Sequence, residues 1–340
     1  MTAQSTAPAG LARAWQRWLA ENLLAGVPDA TLLAELAGHG VTAEVAGAAI
    51  ARLRRQPAYE VAQGLARRLD RLERQVAGRA ALAALDPGRA TVPRRAGLTR
   101  EAFLAEHYAA NRPVVVTDLV PGWPAFGLWT PAYFRDAYGD VPIEACLGRD
   151  ADPAYDERAD AHARPTTLGA LATRVLETEA SNDFYLIARN RAIAAGGLRP
   201  LLQDVGPLPA WLAPTPEPGW TSLWFGPAGT LTPMHHDASN ICFCQLYGRK
   251  RFHLVAPDHP GLLATANGYY AGFDPEAPPA QREPRFADVQ VLEIDLEPGE
   301  ALFIPVGWWH QVRALSPSIS FSLLGFAFPN AQEAAFAARG

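Results

Sequence analysis

The chain has 340 residues, 49% hydrophobic and 19% charged, with a formal net charge of −5. These proportions describe a globular protein long enough for one large domain and an accessory piece. The acidic balance, with no long basic block, disfavours nucleic acid and anionic membrane surfaces as partners. No apolar run reaches the ~20 residues of a bilayer-spanning helix and no signal-like segment opens the chain, so no membrane partner and a cytoplasmic location are expected.

After ten small and polar residues expected to be disordered, the pattern is helical from about residue 11 to 85. Trp15, Trp18, Leu19 and Leu23 form one apolar stripe. Gly26-Val27-Pro28-Asp29 breaks it, and Asp29 is expected to cap a second helix carrying Leu32, Leu33 and Leu36. His39-Gly40 ends that helix and Thr42-Ala43-Glu44 starts a third. The longest helix, over roughly 58–84, sets Leu65, Leu69, Leu72 and Val76 in a narrow seam flanked by Arg67, Arg68, Arg71, Glu73 and Arg74. Two readings fit this seam: a short coiled coil that pairs two copies as a homodimer, or a helix packed on its own catalytic domain. Residues 11–90 are therefore read as a helical accessory or dimerisation module, ending in a linker at Asp86-Pro87-Gly88 and Val92-Pro93-Arg94-Arg95.

From 98 to 330 the chain reads as a second, β-rich domain. Pro113-Val114-Val115-Val116-Thr117 is a β-branched strand, and Trp123-Pro124 and Trp129-Thr130-Pro131 mark turns. Several short strands joined by Gly and Pro turns occupy 221–257. Two more flank Glu297-Pro298-Gly299-Glu300, and a last alternating stretch runs over 318–328. The expected fold is thus mainly β, a double-stranded β-helix of the jelly-roll or cupin kind, with an N-terminal α-helical module. Cys146, Cys242 and Cys244 contain no CxxC pair. The last two share a strand face one residue apart, a poor disulfide geometry, so a reducing compartment fits.

The chemistry concentrates in Thr232-Pro233-Met234-His235-His236-Asp237. Side chains alternate along a strand, so His235 and Asp237 point to one face. His310, arriving on a distant strand after Gly307-Trp308-Trp309, completes two imidazoles and a carboxylate, a set that binds a divalent metal and leaves positions open for oxygen chemistry. His236 alternates to the other face and is read as a packing residue. His39, His107, His162, His253 and His259 are assigned no ligand role. Lys250 opens the strand after the Tyr247-Gly248-Arg249 turn. One reading pairs it with the distal carboxylate of a dicarboxylate co-substrate, helped by Thr232. The other makes it one of three solvated charges around a hairpin.

These residues resemble the catalytic core of the Jumonji-C and cupin-like 2-oxoglutarate oxygenases. The matching stretches are Trp224-Phe225-Gly226-Pro227, the Thr232–Asp237 segment, Gln245, Gly248-Arg249-Lys250-Arg251-Phe252, and Pro298 to Pro305 followed by Trp308-Trp309-His310. Arg112 to Val116 and Trp123-Pro124 are similar to the family's entry strand and turn. The resemblance implies that His235, Asp237 and His310 hold Fe(II), that Lys250 and Thr232 bind 2-oxoglutarate, and that Tyr185 reaches the same co-substrate. It also implies a reaction in which O2 decarboxylates 2-oxoglutarate to succinate while a substrate C–H bond is hydroxylated. Two positions depart from the pattern. Ile241 stands where relatives carry asparagine, with Asn240 one residue earlier, and Ser322 replaces an asparagine on the last strand; both Asn240 and Ser322 are expected in the co-substrate pocket.

The resemblance points to a protein or peptide substrate. The segment Asn267-Gly268-Tyr269-Tyr270-Ala271-Gly272-Phe273-Asp274, with a Pro-rich loop to Phe286, is either a substrate mouth or a surface insertion; in the first case Asp274 or Glu283 would meet a cationic side chain. Two other classes remain open, an oxygenase acting on a small molecule or a tRNA base, and a non-catalytic metal-binding cupin.

Overall fold

The structure is a computed structural model that describes residues 11–188, 192–194, 196–259, 261–262, 269–277, 283–287 and 289–330. The first ten residues, Asn267-Gly268 and part of the Pro-rich loop lie outside the described residues. The chain divides into two compact units, Met1–Arg79 and Ala80–Gly340.

The first unit contains helices α1 (Arg13–Leu24), α2 (Asp29–Gly38) and α3 (Ala43–Arg54), and most of α4 (Pro57–Ala83). Leu19 and Leu23 of the expected stripe meet Leu32, Leu36, Ala46, Ala49, Ile50 and Tyr59 in a small core. Thr42 caps α3 by accepting from the Val45 amide at 3.4 Å. Asp29 is not a cap: Pro28 holds that position and Asp29 sits in the first turn of α2. Its carboxylate instead takes a two-pronged contact from Arg54 at 2.6 and 2.8 Å, linking α2 to α3. On α4 the seam is uncovered: Leu65, Leu69 and Leu72 are 51–61% exposed.

The second unit carries thirteen strands among its described residues. They are β1 (Arg94–Arg95), β2 (Val114–Val116), β3 (Pro142–Leu147), β4 (Ala163–Thr167), β5 (Phe184–Tyr185), β6 (Thr221–Gly226), β7 (Leu231–His235), β8 (Ile241–Tyr247), β9 (Lys250–Val255), β10 (Leu292–Leu296), β11 (Ala301–Ile304), β12 (Trp309–Ala314) and β13 (Ser318–Leu323). A six-stranded sheet runs β1-β2-β11-β8-β13-β6 and a four-stranded sheet runs β10-β9-β12-β7, while β4-β3-β5 forms a small third sheet. Strands that follow one another in sequence alternate between the two larger sheets from β6 to β9, the winding of a double-stranded β-helix.

Residue pattern explains the layering. The six-stranded sheet is buried on both sides. Val115, Phe243, Leu302 and Ile304 face Phe252, Leu254, Leu296 and Val312 of the four-stranded sheet. On the reverse, Val114, Val116, Phe225, Phe303 and Phe321 pack against Phe103, Trp129, Phe134, Leu171 and Trp211 from helices and loops. The four-stranded sheet shows instead the alternation of a half-covered sheet, with Leu292, Ile294 and Leu296 turned inward and Glu293 outward. All three cysteines are buried and free.

Candidate metal centre

Strands β7 and β12 run antiparallel with His235 opposite His310. The next matched pair is Thr232 with Val312, so β7 uses two intervening residues where β12 uses one. This is a β-bulge at Pro233-Met234, and Pro233 has no N–H to give to the ladder. Strict alternation would send Thr232 and His235 to opposite faces; the bulge lets both line the same cavity, of about 330 Å³. Asp237 follows the strand and is tied down by Gly307, whose amide donates to the Asp237 carbonyl at 3.1 Å. Gly307 has φ +82°, a backbone conformation costly for any residue with a Cβ.

The two imidazole rings stand 4.1 Å apart, and Asp237 Oδ2 lies 3.3 Å from His310 Nε2 and 4.0 Å from His235 Nε2. One donor atom from each of the three residues lies within 4.8 Å of the others. His235 Nδ1 is 2.8 Å from the Pro233 carbonyl and His310 Nδ1 is 3.0 Å from that of Trp308. A carbonyl only accepts, so each Nδ1 carries the proton and each Nε2 presents a lone pair to the cavity. Burial and the neighbouring His310 push the His235 imidazolium below its usual range, favouring the neutral ligand form. Burial pushes the Asp237 carboxyl up, but the His310 hydrogen bond and the surrounding imidazoles outweigh it and hold the group at about 2. Two neutral nitrogens and one carboxylate, open on the cavity side, are a donor set that fits Fe(II).

Lys250 is 1% exposed, which removes the solvated-hairpin reading. Its Nζ donates to Tyr185 Oη at 2.8 Å and lies 5.1–5.8 Å from the ring centres of Phe243, Tyr185 and Trp224. Burial alone lowers its ammonium to about 7, with no carboxylate acting on it. The same desolvation raises the Tyr185 phenol. Ser322 Oγ accepts from Trp224 Nε1 at 2.9 Å, and both side chains line the cavity. Gly226 makes room for this arrangement, since a Cβ there would stand 2.7 Å from the Tyr185 ring. Gly226→Ala is therefore expected to destabilise the fold by about 1–3 kcal/mol and to weaken co-substrate binding together with it; denaturant melts and a binding titration of the same variant check this.

Not every expected site residue arrives. Asn240 is 2% exposed and does not line the cavity. Its side chain accepts from the Val306 amide at 2.9 Å and donates to Asn330 Oδ1 at 3.0 Å, bracing the turn that leads to His310. Ile241 faces the cavity in its place. Asp274 accepts from Gln311 at 3.2 Å, and neither it nor the exposed Glu283 borders the cavity. The Tyr269–Asp274 segment extends the edge of β7: the His236 amide donates to the Tyr269 carbonyl and the Ala271 amide to that of Met234, each at 3.0 Å. Tyr269 and Tyr270 consequently line the cavity, while Phe273 packs with Met234 and Trp309.

The carboxylate at this mouth is Asp156, which sequence reasoning missed. Its Oδ2 accepts from Tyr270 Oη at 2.7 Å, and Tyr270 stacks on His235. The buried Arg149 stands behind Asp156 at 3.7 Å and donates to the Leu231 carbonyl at 2.8 Å. No local spacing marked Asp156, because it reaches the site from a loop far from the histidine motif.

A family model for a cupin-like domain matches residues 100–323. The chain belongs to the cupin-like, Jumonji-C domain family. Among curated relatives, the cupin-like chain is 29% identical over 247 residues to Jumonji C domain-containing protein 5 of Drosophila melanogaster, covering 68% of this chain and 59% of the relative. It is 30% identical over 235 residues to Lysine-specific demethylase 8 of Xenopus tropicalis, covering 65% and 50%. It is 25% identical over 240 residues to the Bifunctional peptidase and (3S)-lysyl hydroxylase JMJD7 of Homo sapiens, covering 62% and 76%. The cupin-like chain thus spans half to three fifths of the length of the first two. Among the described residues no helix is long and apolar enough to cross a membrane.

Proposed function

We propose that this chain is an Fe(II)- and 2-oxoglutarate-dependent oxygenase that hydroxylates a C–H bond on an amino-acid side chain of a protein or peptide. The observation that carries the reading is Lys250: a cation without a carboxylate partner among the described residues, buried in the same cavity as an open set of two imidazoles and a carboxylate. A buried lone cation is costly and suits an anionic ligand.

His235, Asp237 and His310 would hold the metal, whose chemistry when bound is the activation of O2 with 2-oxoglutarate as reductant. Lys250 anchors the distal carboxylate, with Tyr185 Oη and Thr232 beside it. Trp224, Phe243 and Phe252 keep water from that end, which strengthens the contact. Tyr269, Tyr270 and Asp156 border the opening, where a side chain enters. The relatives named as a demethylase and a lysyl hydroxylase support a protein substrate. A non-catalytic cupin has no use for Lys250.

A peptide library supplied with Fe(II), 2-oxoglutarate and O2 tests the reading. The expected result is succinate formation that depends on a peptide, with a gain of one oxygen atom by mass spectrometry. Coupled oxygen gain on a small molecule or a tRNA, with none on peptides, would overturn the substrate class. A cytoplasmic location belongs to the same proposal.

The exposed α4 seam is assigned to pairing with a second copy. Leu65→Glu combined with Leu69→Glu is expected to turn a dimer into a monomer in light scattering; a parent protein that is already monomeric would remove this part.

A further inference from the structure

His107 is the least satisfied polar group in the second unit. It lies in a single π-helical turn, Leu104–Tyr108, is 4% exposed, and neither ring nitrogen completes a hydrogen bond. The Arg112 backbone acts on the ring electrostatically without closing a bond of ordinary geometry. Burial lowers the imidazolium, so the ring is neutral, with one N–H to give and one lone pair to fill. Leaving both unmet in a protein interior costs about 1–3 kcal/mol. π-turns of this kind recur at functional sites.

The ring borders a second cavity of about 500 Å³, within the range of small-molecule sites. Three guanidinium groups line it, from Arg89, Arg95 and Arg112. Each has a carboxylate partner, respectively Asp258, Glu106 and Asp86. Of these carboxylates only Glu106 borders the cavity, so cationic groups exceed anionic ones along its wall. Pro93, Pro113, Ala105, Ala110 and Trp308 supply an apolar side. Trp308 is fixed there by Asn111, whose side-chain and backbone oxygens accept from its indole N–H at 2.8 and 3.0 Å. Asn111 has φ +51°, a strained setting for a non-glycine residue.

We propose that this cavity is a binding site for a small phosphate monoester, separate from the metal pocket. The phosphate would meet the guanidinium forks of Arg89 and Arg112, which match its geometry. The His107 N–H would donate to one of its oxygens, and the organic part would lie against Trp308 and the two prolines. Residues of the metal pocket take no part.

Phenyl phosphate is a direct probe, used on the full chain with excess 2-oxoglutarate present to occupy the other pocket. The expected result is saturable binding by calorimetry, a shift of the His107 ring resonances, and at least tenfold weaker binding in Arg89→Gln. Phenol, which lacks the charge, is expected not to bind. His107→Asn gives a second reading, with weakened binding and an unchanged melting temperature. Non-saturable binding, a His107 ring that does not move, or equal affinity in Arg89→Gln would overturn the site.

Discussion

Replacing Asp237 by alanine is expected to weaken Fe(II) binding by more than about 100-fold and to abolish turnover, while the protein stays folded. The size follows from the donor set: without the carboxylate, two neutral imidazoles face a dication with no compensating charge, a larger loss than the 10- to 100-fold typical of outer partners. The fold has no comparable stake in this residue, since its side chain is 38% exposed and makes no contact to the core. Equilibrium dialysis of iron, with a thermal melt of the same sample, checks both halves. A variant that binds iron and turns over normally would sink the assignment of His235, Asp237 and His310.

The second large effect is at Lys250. Lys250→Met is expected to leave iron binding intact and to weaken 2-oxoglutarate by roughly 30-fold to several thousand-fold, the about 2–5 kcal/mol lost when a buried charge pair loses one partner. Its sign for stability is opposite. In the ligand-free protein the ammonium sits at about 7 against 10.5 when exposed. Below pH 7 both folded and unfolded chains hold the proton and the full burial penalty is present. Between about 7 and 10.5 the unfolded chain holds it and the folded chain does not, so stability rises with pH through that window. Lys250→Met removes both the penalty and this rise, and melts at neutral pH should move upward. The same protonation makes 2-oxoglutarate affinity fall as pH climbs above 7, because the bound form needs the charged lysine. Calorimetric titrations across pH 6.5–9 read this directly; a flat profile would mean that Lys250 stays charged without the ligand.

Much of this site could be read from residue order alone, because its motif residues sit on adjacent strands whose spacing is a geometric statement. His235 and Asp237 share a face by alternation, and His310 pairs across to His235. Thr232 is a different case: alternation denies it the pocket, and only the bulge at Pro233 admits it. The strand around Asn240 misled for a related reason. Asn240 carries a hydrogen-bonding side chain next to the expected position, but a one-residue offset on a strand turns a side chain to the opposite face, and there it braces Val306 and Asn330. Asp156 and Arg149 were illegible because loop residues meet the site through tertiary folding, which no local period encodes. His107 was set aside as a residue in a helical context, and its helical turn did form; what spacing did not reveal is that packing leaves both ring nitrogens unmet.

The central claim is that metal and 2-oxoglutarate share one cavity with Lys250. Its most direct test is anaerobic addition of Fe(II) and then 2-oxoglutarate to the purified protein, followed by visible absorption. A chelate charge-transfer band in the parent, restored only at far higher 2-oxoglutarate in Lys250→Met, is the predicted result. Tight iron binding with no band at any concentration of 2-oxoglutarate would contradict the account and leave a metal-binding cupin without oxygenase chemistry.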